Sequence, residues 1–203
     1  MLAADLDLPI PEPFIVRIEP GLINAFPPSL YDVTQKIRGS SSLAFGSTLL
    51  PPGYSLASTS IPRALVAEAS DIFAFDCLIA NPDRHVDNPN CLSNGASYAI
   101  FDHELAFLTK GIIGWLPPWK AGALERDSPR HLFYHGRKGK SLRFERLKGA
   151  WKAITDHRIS EYGSALPPEW LAHGSAALDA LAYIAEIKMR VDQALSEVSR
   201  VQQ

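Results

Sequence analysis

The stretch IANPDRHVDNPN, residues 79–90, sets two aspartates, three asparagines, an arginine, a histidine and two prolines in twelve consecutive positions directly after a long apolar run. Asp83 and Asn88 stand five apart within it. That is the D-x-x-x-x-N spacing of phosphoryl-transfer loops in which the aspartate meets an acceptor hydroxyl and the asparagine holds magnesium. The same composition also suits an ordinary helix-to-hairpin connection, because Asn, Asp and Pro are common turn residues.

The residues after the loop separate the two readings. CLSN, Gly95 and SYAIF form two short apolar runs around Asn94-Gly95, a strong hairpin signal. With a two-residue turn Ser93 faces Ala96, and Asn88 falls opposite Phe101, one residue before Asp102; a register one residue different sets Asn88 opposite Asp102 itself. Cross-strand neighbours lie about 5 Å apart, so oxygens of Asn88 and Asp102 are expected to converge on one divalent cation, which magnesium binds at about 2.0–2.1 Å. Asp102 would carry the charge that holds magnesium against nucleotide phosphates, Asn88 would add a neutral oxygen, and Asp83 would orient and partly deprotonate the acceptor hydroxyl. Arg84 and His85 are read as fastening the loop.

Composition narrows the partners. The chain has 203 residues, 46% hydrophobic and 21% charged, with a formal net charge of −2, which is globular material long enough for one substantial core. The charge balance gives no footprint for nucleic acid or an anionic membrane, and neither is expected as a partner. MLAADLDLPIPEPF has no basic n-region and is broken by Asp5 and Asp7, and the most apolar stretch, 61–80, contains Arg63, Glu68, Asp71 and Asp76. A secretory signal and a spanning helix are therefore not expected. Cys77 and Cys91 read as free thiols of a cytoplasmic protein.

Elsewhere the pattern is mixed. LAADLDL reads as a helix end stopped by Pro9, Pro11 and Pro13, FIVRIE (14–19) and LAFGSTLL (43–50) as strands, and GLINAF and SLYDVTQKI as short helices. From Ser60 and Pro62 a helix of about five turns runs toward the loop. Leu142, Phe144, Leu147, Trp151 and Ile154 share a face of a helix over 142–158, and 177–201 is a long amphipathic helix. WLPPWK (115–120) is read as a packed wall, and His131 and His135 as surface or groove residues.

The string FDCLIANPDRHVDNPN followed by AIFDHELAF resembles the HipA-like kinases, particularly the short HipA-like domain group, and more remotely the lipid-kinase pattern of Asp-Arg-His followed by Asn. LDLPIPEP and LAFGSTLLPPG are similar to the family's segments ahead of the catalytic loop. The resemblance implies a predominantly helical α+β fold, a protein-kinase-like large lobe with a short β-hairpin and a reduced small lobe. It implies ATP and magnesium as cofactors, a serine or threonine of a protein as acceptor, Asp83 as catalytic aspartate, and Asn88 and Asp102 as magnesium ligands. Where other kinases have Asp-Phe-Gly, this chain has Asp102-His103-Glu104.

On this plan residues 1–59 are a remnant of the small lobe with the inter-lobe connection, and 60–203 are the helical large lobe. A full small lobe also supplies a phosphate-covering glycine loop and a strand lysine. No G-x-G-x-x-G occurs, and Lys36, in a helical segment, is the only lysine before the loop. A degenerate relative, a start further upstream and a separate polypeptide supplying the missing elements are three open explanations. A kinase-derived binding module without catalysis is the alternative reading, and a metal-dependent phosphohydrolase a third.

Overall fold

The computed structural model describes residues 1–139, 144–172 and 174–203 as an α+β fold, predominantly helical. Its first helix, α1 (Leu2–Asp5), is closed ahead of Pro9 by Asp7 in a left-handed conformation (φ +55°), with the Asp7 N–H on the Ala4 carbonyl and the Leu8 N–H on the Ala3 carbonyl, each at 2.9 Å. Next, β1 (Pro13–Arg17) pairs antiparallel with β2 (Leu43–Ser47), and α2 (Pro20–Asn24) and α3 (Tyr31–Arg38) lie between them in sequence. A second sheet has the order β3-β4-β5, formed by Ser55–Leu56, Cys91–Ser93 and Tyr98–Ile100. The remaining helices are α4 (Val66–Leu78), α5 (Tyr134–Arg137), α6 (Glu145–Ala153), α7 (Asp156–Ser164), α8 (Pro168–Leu171) and α9 (Ala176–Gln202).

The core forms where α9 packs against α4, α6 and α7. Ile72, Phe73, Leu147, Trp151, Ile187 and Val198 are fully buried there. Helix α4 has apolar residues on nearly every side and is buried accordingly. It is shorter than the sequence suggests: Arg63–Leu65 form a 3-10 turn, and Ser60 does not cap it. The helix expected over 142–158 is two helices. Ile154 and Thr155 are extended, and the Thr155 hydroxyl accepts the Arg158 N–H at 3.0 Å to start α7. Leu142 lies outside the described residues. Trp115 and Trp119 pack on Tyr183, both with ring centroids 5.9 Å away, so WLPPWK is a packed wall.

The N-terminal residues belong to the same core. Leu6 and Leu8 are buried, Arg158 holds Asp5 through contacts of 2.5 and 3.0 Å, and Arg146 bonds the Leu6 carbonyl at 3.1 Å while pairing with Asp71. The Pro9 carbonyl accepts the Ile100 N–H at 2.8 Å, which lays this segment along β5. The β1–β2 ribbon is the contrast, with Phe14, Ile15, Val16 and Phe45 all exposed. Among the described residues no helix is long and apolar enough to cross a membrane.

Leu6→Ala removes a side chain with no exposed surface, and it is expected to lower unfolding stability by about 2–5 kcal/mol, read by urea denaturation. A loss under about 1 kcal/mol would mean that the N-terminal segment does not share the core.

Candidate active site

The loop begins with a helix end that dictates its path. Past Leu78 the chain turns left-handed at Ala80 (φ +52°), the Ala80 N–H reaches the Cys77 carbonyl at 3.4 Å, and the Asn81 N–H reaches the Asp76 carbonyl at 2.9 Å. This paired 5→2 and 6→1 pattern closes a helix, with Pro82 immediately after to prevent its continuation. Asn81 also donates its amide to Asp76 Oδ1 at 2.8 Å and accepts the Asp83 N–H on its own side-chain oxygen at 3.2 Å.

Arg84 is completely buried. Its Nε donates to Asp76 Oδ2 at 2.6 Å, one terminal nitrogen contacts His103 Nε2 at 2.8 Å, and the other donates to the Asn90 carbonyl. The Arg84 carbonyl in turn accepts the Leu132 N–H at 3.0 Å. Arg84 fastens the loop, as its sequence position suggests. His85 closes a tight turn with Asn88, the two residues exchanging backbone hydrogen bonds of 3.1 Å each.

That turn aims Asn88 back at Asp83. Asn88 Nδ2 donates to Asp83 Oδ2 at 2.8 Å, and Asn90 Nδ2 donates to the same oxygen at 2.9 Å. Among the described residues Asp83 Oδ1 accepts no hydrogen bond, and His85 Nε2 lies 4.0 Å from it, too far for one. With its nitrogen committed to Asp83, Asn88 keeps its amide oxygen uncommitted among the described residues. Asp83 and Asn88 are thus brought together. Asn90 was not singled out in the sequence, because seven residues from Asp83 matches no recognised spacing; only its place in the same polar stretch pointed to it.

Asp102 follows a hairpin whose register differs from the one expected. Cys91 pairs with Ile100, Leu92 with Ala99 and Ser93 with Tyr98, so the turn has four residues and not two. The reason is the Asn94 side chain, whose oxygen accepts the Ala96 and Ser97 N–H groups at 2.9 and 2.8 Å and spreads the turn over 94–97. Asn90 therefore takes the place across from Phe101, whose N–H bonds the Asn90 carbonyl at 3.1 Å. Asp102 comes next in a left-handed conformation (φ +54°), which Asp tolerates better than most residues. Asn88 lies beyond the paired part of the hairpin.

Asp102 lines a cavity of about 710 Å³. Its walls come from Met1–Ala3, Ile10, Pro11 and Pro13, Phe45 of β2, Phe75 of α4 with Ile79 just past its end, and Phe107. They are mainly apolar, and Asp102, His103 and Glu104 form the polar edge.

A family model for HipA-like kinases matches residues 1–113, more than half of the chain. The chain belongs to the HipA-like kinase family. The match takes in α1, both sheets, α4, the loop and Asp102. No curated protein and no solved structure matches.

In this member of the HipA-like kinase family two neutral histidines border the buried ion pair. His131 is buried, its Nδ1 accepting the Phe133 N–H at 3.1 Å and its Nε2 lying 3.0 Å from Asp76 Oδ2. It is therefore not a surface residue, and it shares no helical face with His135, since it precedes α5. Burial lowers the His131 pKa, although Asp76 opposes the shift. Burial also pushes His103 down to about 4, with the Arg84 guanidinium adding to the shift against Asp76. For Asp76 burial alone would raise the carboxyl, but Arg84 and His131 outweigh it and hold the group well below the usual range.

The sign of the pH effect is set by linkage. Both rings are depressed below 6.5, so their contribution to stability is complete above pH 6.5 and is lost as pH falls toward the folded values, near 4 for His103. Asp76 adds a loss below about pH 3.8. Proton NMR titration is expected to give a ring midpoint near 4 for His103 and one below 6.5 for His131. A midpoint at or above the ordinary histidine value for either would contradict the neutral rings.

Proposed function

We propose that this chain is an ATP- and magnesium-dependent phosphotransferase acting on a serine or threonine hydroxyl of a protein, or the large-lobe portion of such an enzyme. The observation that carries the reading is the state of Asp83: one oxygen is held by two amide donors, and the other accepts no hydrogen bond among the described residues. A general base needs this combination of fixed orientation and an available lone pair.

The donor set suits magnesium. Asn88 offers an amide oxygen, and Asp102 offers an exposed carboxylate on the edge of the cavity; hard divalent cations take oxygen ligands of this kind. The bound ion would neutralise charge on the nucleotide phosphates. Asp102 supplies the negative charge that holds it, Asn88 the neutral ligand, and the apolar cavity wall the surface for the nucleotide base. Asp83 Oδ1 takes the proton of the acceptor hydroxyl as that oxygen bonds to the γ-phosphorus and the bond to the ADP oxygen breaks.

In this reading residues 60–203 are the helical large lobe, residues 1–59 a reduced small lobe and connection, and the protein works in the cytoplasm. One observation favours the alternative of a catalytically inactive binding module: neither β1 nor β2, PFIVR and LAFGS, has a lysine. A separate polypeptide that supplies the missing small-lobe elements fits both readings.

Calorimetric titration with ATP separates metal binding from fold. Asp102→Asn removes charge with little volume change, and it is expected to weaken magnesium-dependent ATP binding at least about tenfold while leaving the far-UV spectrum unchanged. Equal affinity in both proteins would remove the metal assignment. Asp83→Asn is expected to bind magnesium-ATP as the parent does and to lose phosphate transfer to protein in a single-turnover assay with labelled ATP. Transfer at the parental rate would remove Asp83 from the chemistry.

A further inference from the structure

Asn90 has an unusual set of contacts. Its side-chain amide donates to Asp83 Oδ2 at 2.9 Å, and its backbone carbonyl accepts from the buried Arg84 guanidinium and from the Phe101 N–H at 3.1 Å. It is itself buried, at 7% exposure, and sits at φ +41°, in the left-handed region. One residue therefore touches the loop aspartate, the ion pair that anchors the loop, and the strand end that delivers Asp102. No other described residue joins Asp83 directly to the strand that leads to Asp102.

We infer that Asn90 is a positioning residue for Asp83: it fixes the carboxylate rotamer so that Oδ1 faces the acceptor, and it ties that carboxylate to the strand end that carries Asp102. The inference rests on the reading of Asp83 as the base. Asn88 donates to the same oxygen from within the tight turn, through a residue proposed to take up metal as well. Asn90 has no second task for its amide. Its left-handed backbone holds the amide in place, and the carbonyl contacts on both sides hold the backbone. A carboxylate with one oxygen pinned by two amides cannot rotate without breaking both bonds, so the open oxygen keeps a single direction. Misplacing a reacting group by about 1 Å costs on the order of 100-fold in rate.

The position allows a clean substitution. Glycine adopts positive φ without strain, so Asn90→Gly keeps the backbone contacts to Arg84 and Phe101 while deleting the amide. Asn90→Asp keeps the shape and sets a carboxylate against Asp83. The experiment compares parent, Asn90→Gly, Asn90→Asp and Asp83→Asn in single-turnover transfer of labelled phosphate from ATP, with manganese binding read by electron paramagnetic resonance on the same proteins. Asn90→Gly is expected to reduce the transfer rate about 10- to 100-fold, with manganese affinity within about twofold of the parent, and Asn90→Asp to reduce it further. A general loss of structure would lower both readouts together and contradict a role confined to positioning. Transfer by Asn90→Gly within twofold of the parent, with Asp83→Asn inactive, would overturn the inference and leave the role of Asp83 intact. Absence of transfer in the parent, or parental transfer by Asp83→Asn, would overturn the underlying reading and the inference with it.

Discussion

Arg84 has no exposed surface, and the geometry of the site results from satisfying its guanidinium. A buried cation is tolerable only if it is paired and its N–H groups are bonded. Asp76 on the last turn of α4 supplies the charge, the Asn90 carbonyl takes one side of the fork, and His103 must be neutral to accept on the other. These partners come from the helix end, the far side of the loop and the residue after Asp102. Satisfying one side chain therefore brings together the segments that carry Asp83, Asn88 and Asp102. His131 completes the arrangement by bonding Asp76 from the segment ahead of α5.

Much of this was legible in the sequence where local chemistry sets the outcome. The long helix at the C-terminus, the helix leading into the loop and the hairpin after it come from periodicity and turn residues, as do the strands read over 14–19 and 43–50, which are shorter in the structure, Pro13–Arg17 and Leu43–Ser47. Asp83 and Asn88 were marked by their spacing alone, and the tight turn over 85–88 is what brings them together. What was not legible depends on side chains acting at a distance. The hairpin register is set by the Asn94 oxygen, which reaches two backbone N–H groups and lengthens the turn. His131 is buried because Asp76, 55 residues earlier, needs its N–H. Nor does any spacing rule mark Asn90, whose role comes from the register that Asn94 fixes.

The N-terminal part of the chain is unevenly packed. The first eight residues are held by Arg146 and Arg158 and share the helical core, whereas β1 and β2 present Phe14, Ile15, Val16 and Phe45 to solvent. A two-stranded ribbon is at best marginally stable alone, and this one overhangs the cavity through Phe45 and Ser47. The cavity is thus lined on one side by buried residues of α4 and β5, Phe75 and Ile100, and on another by this exposed ribbon.

The central claim is that Asn88 and Asp102 hold a divalent cation beside Asp83, with nucleotide in the adjoining cavity. A crystal structure with manganese and a non-hydrolysable ATP analogue tests it most directly, since anomalous scattering locates the metal independently of the atoms around it. The account predicts an anomalous peak within coordination distance of the Asn88 amide oxygen and the Asp102 carboxylate, with the adenine against Phe75 and Ile79. A metal bound elsewhere, or a nucleotide lying outside this cavity, would contradict it.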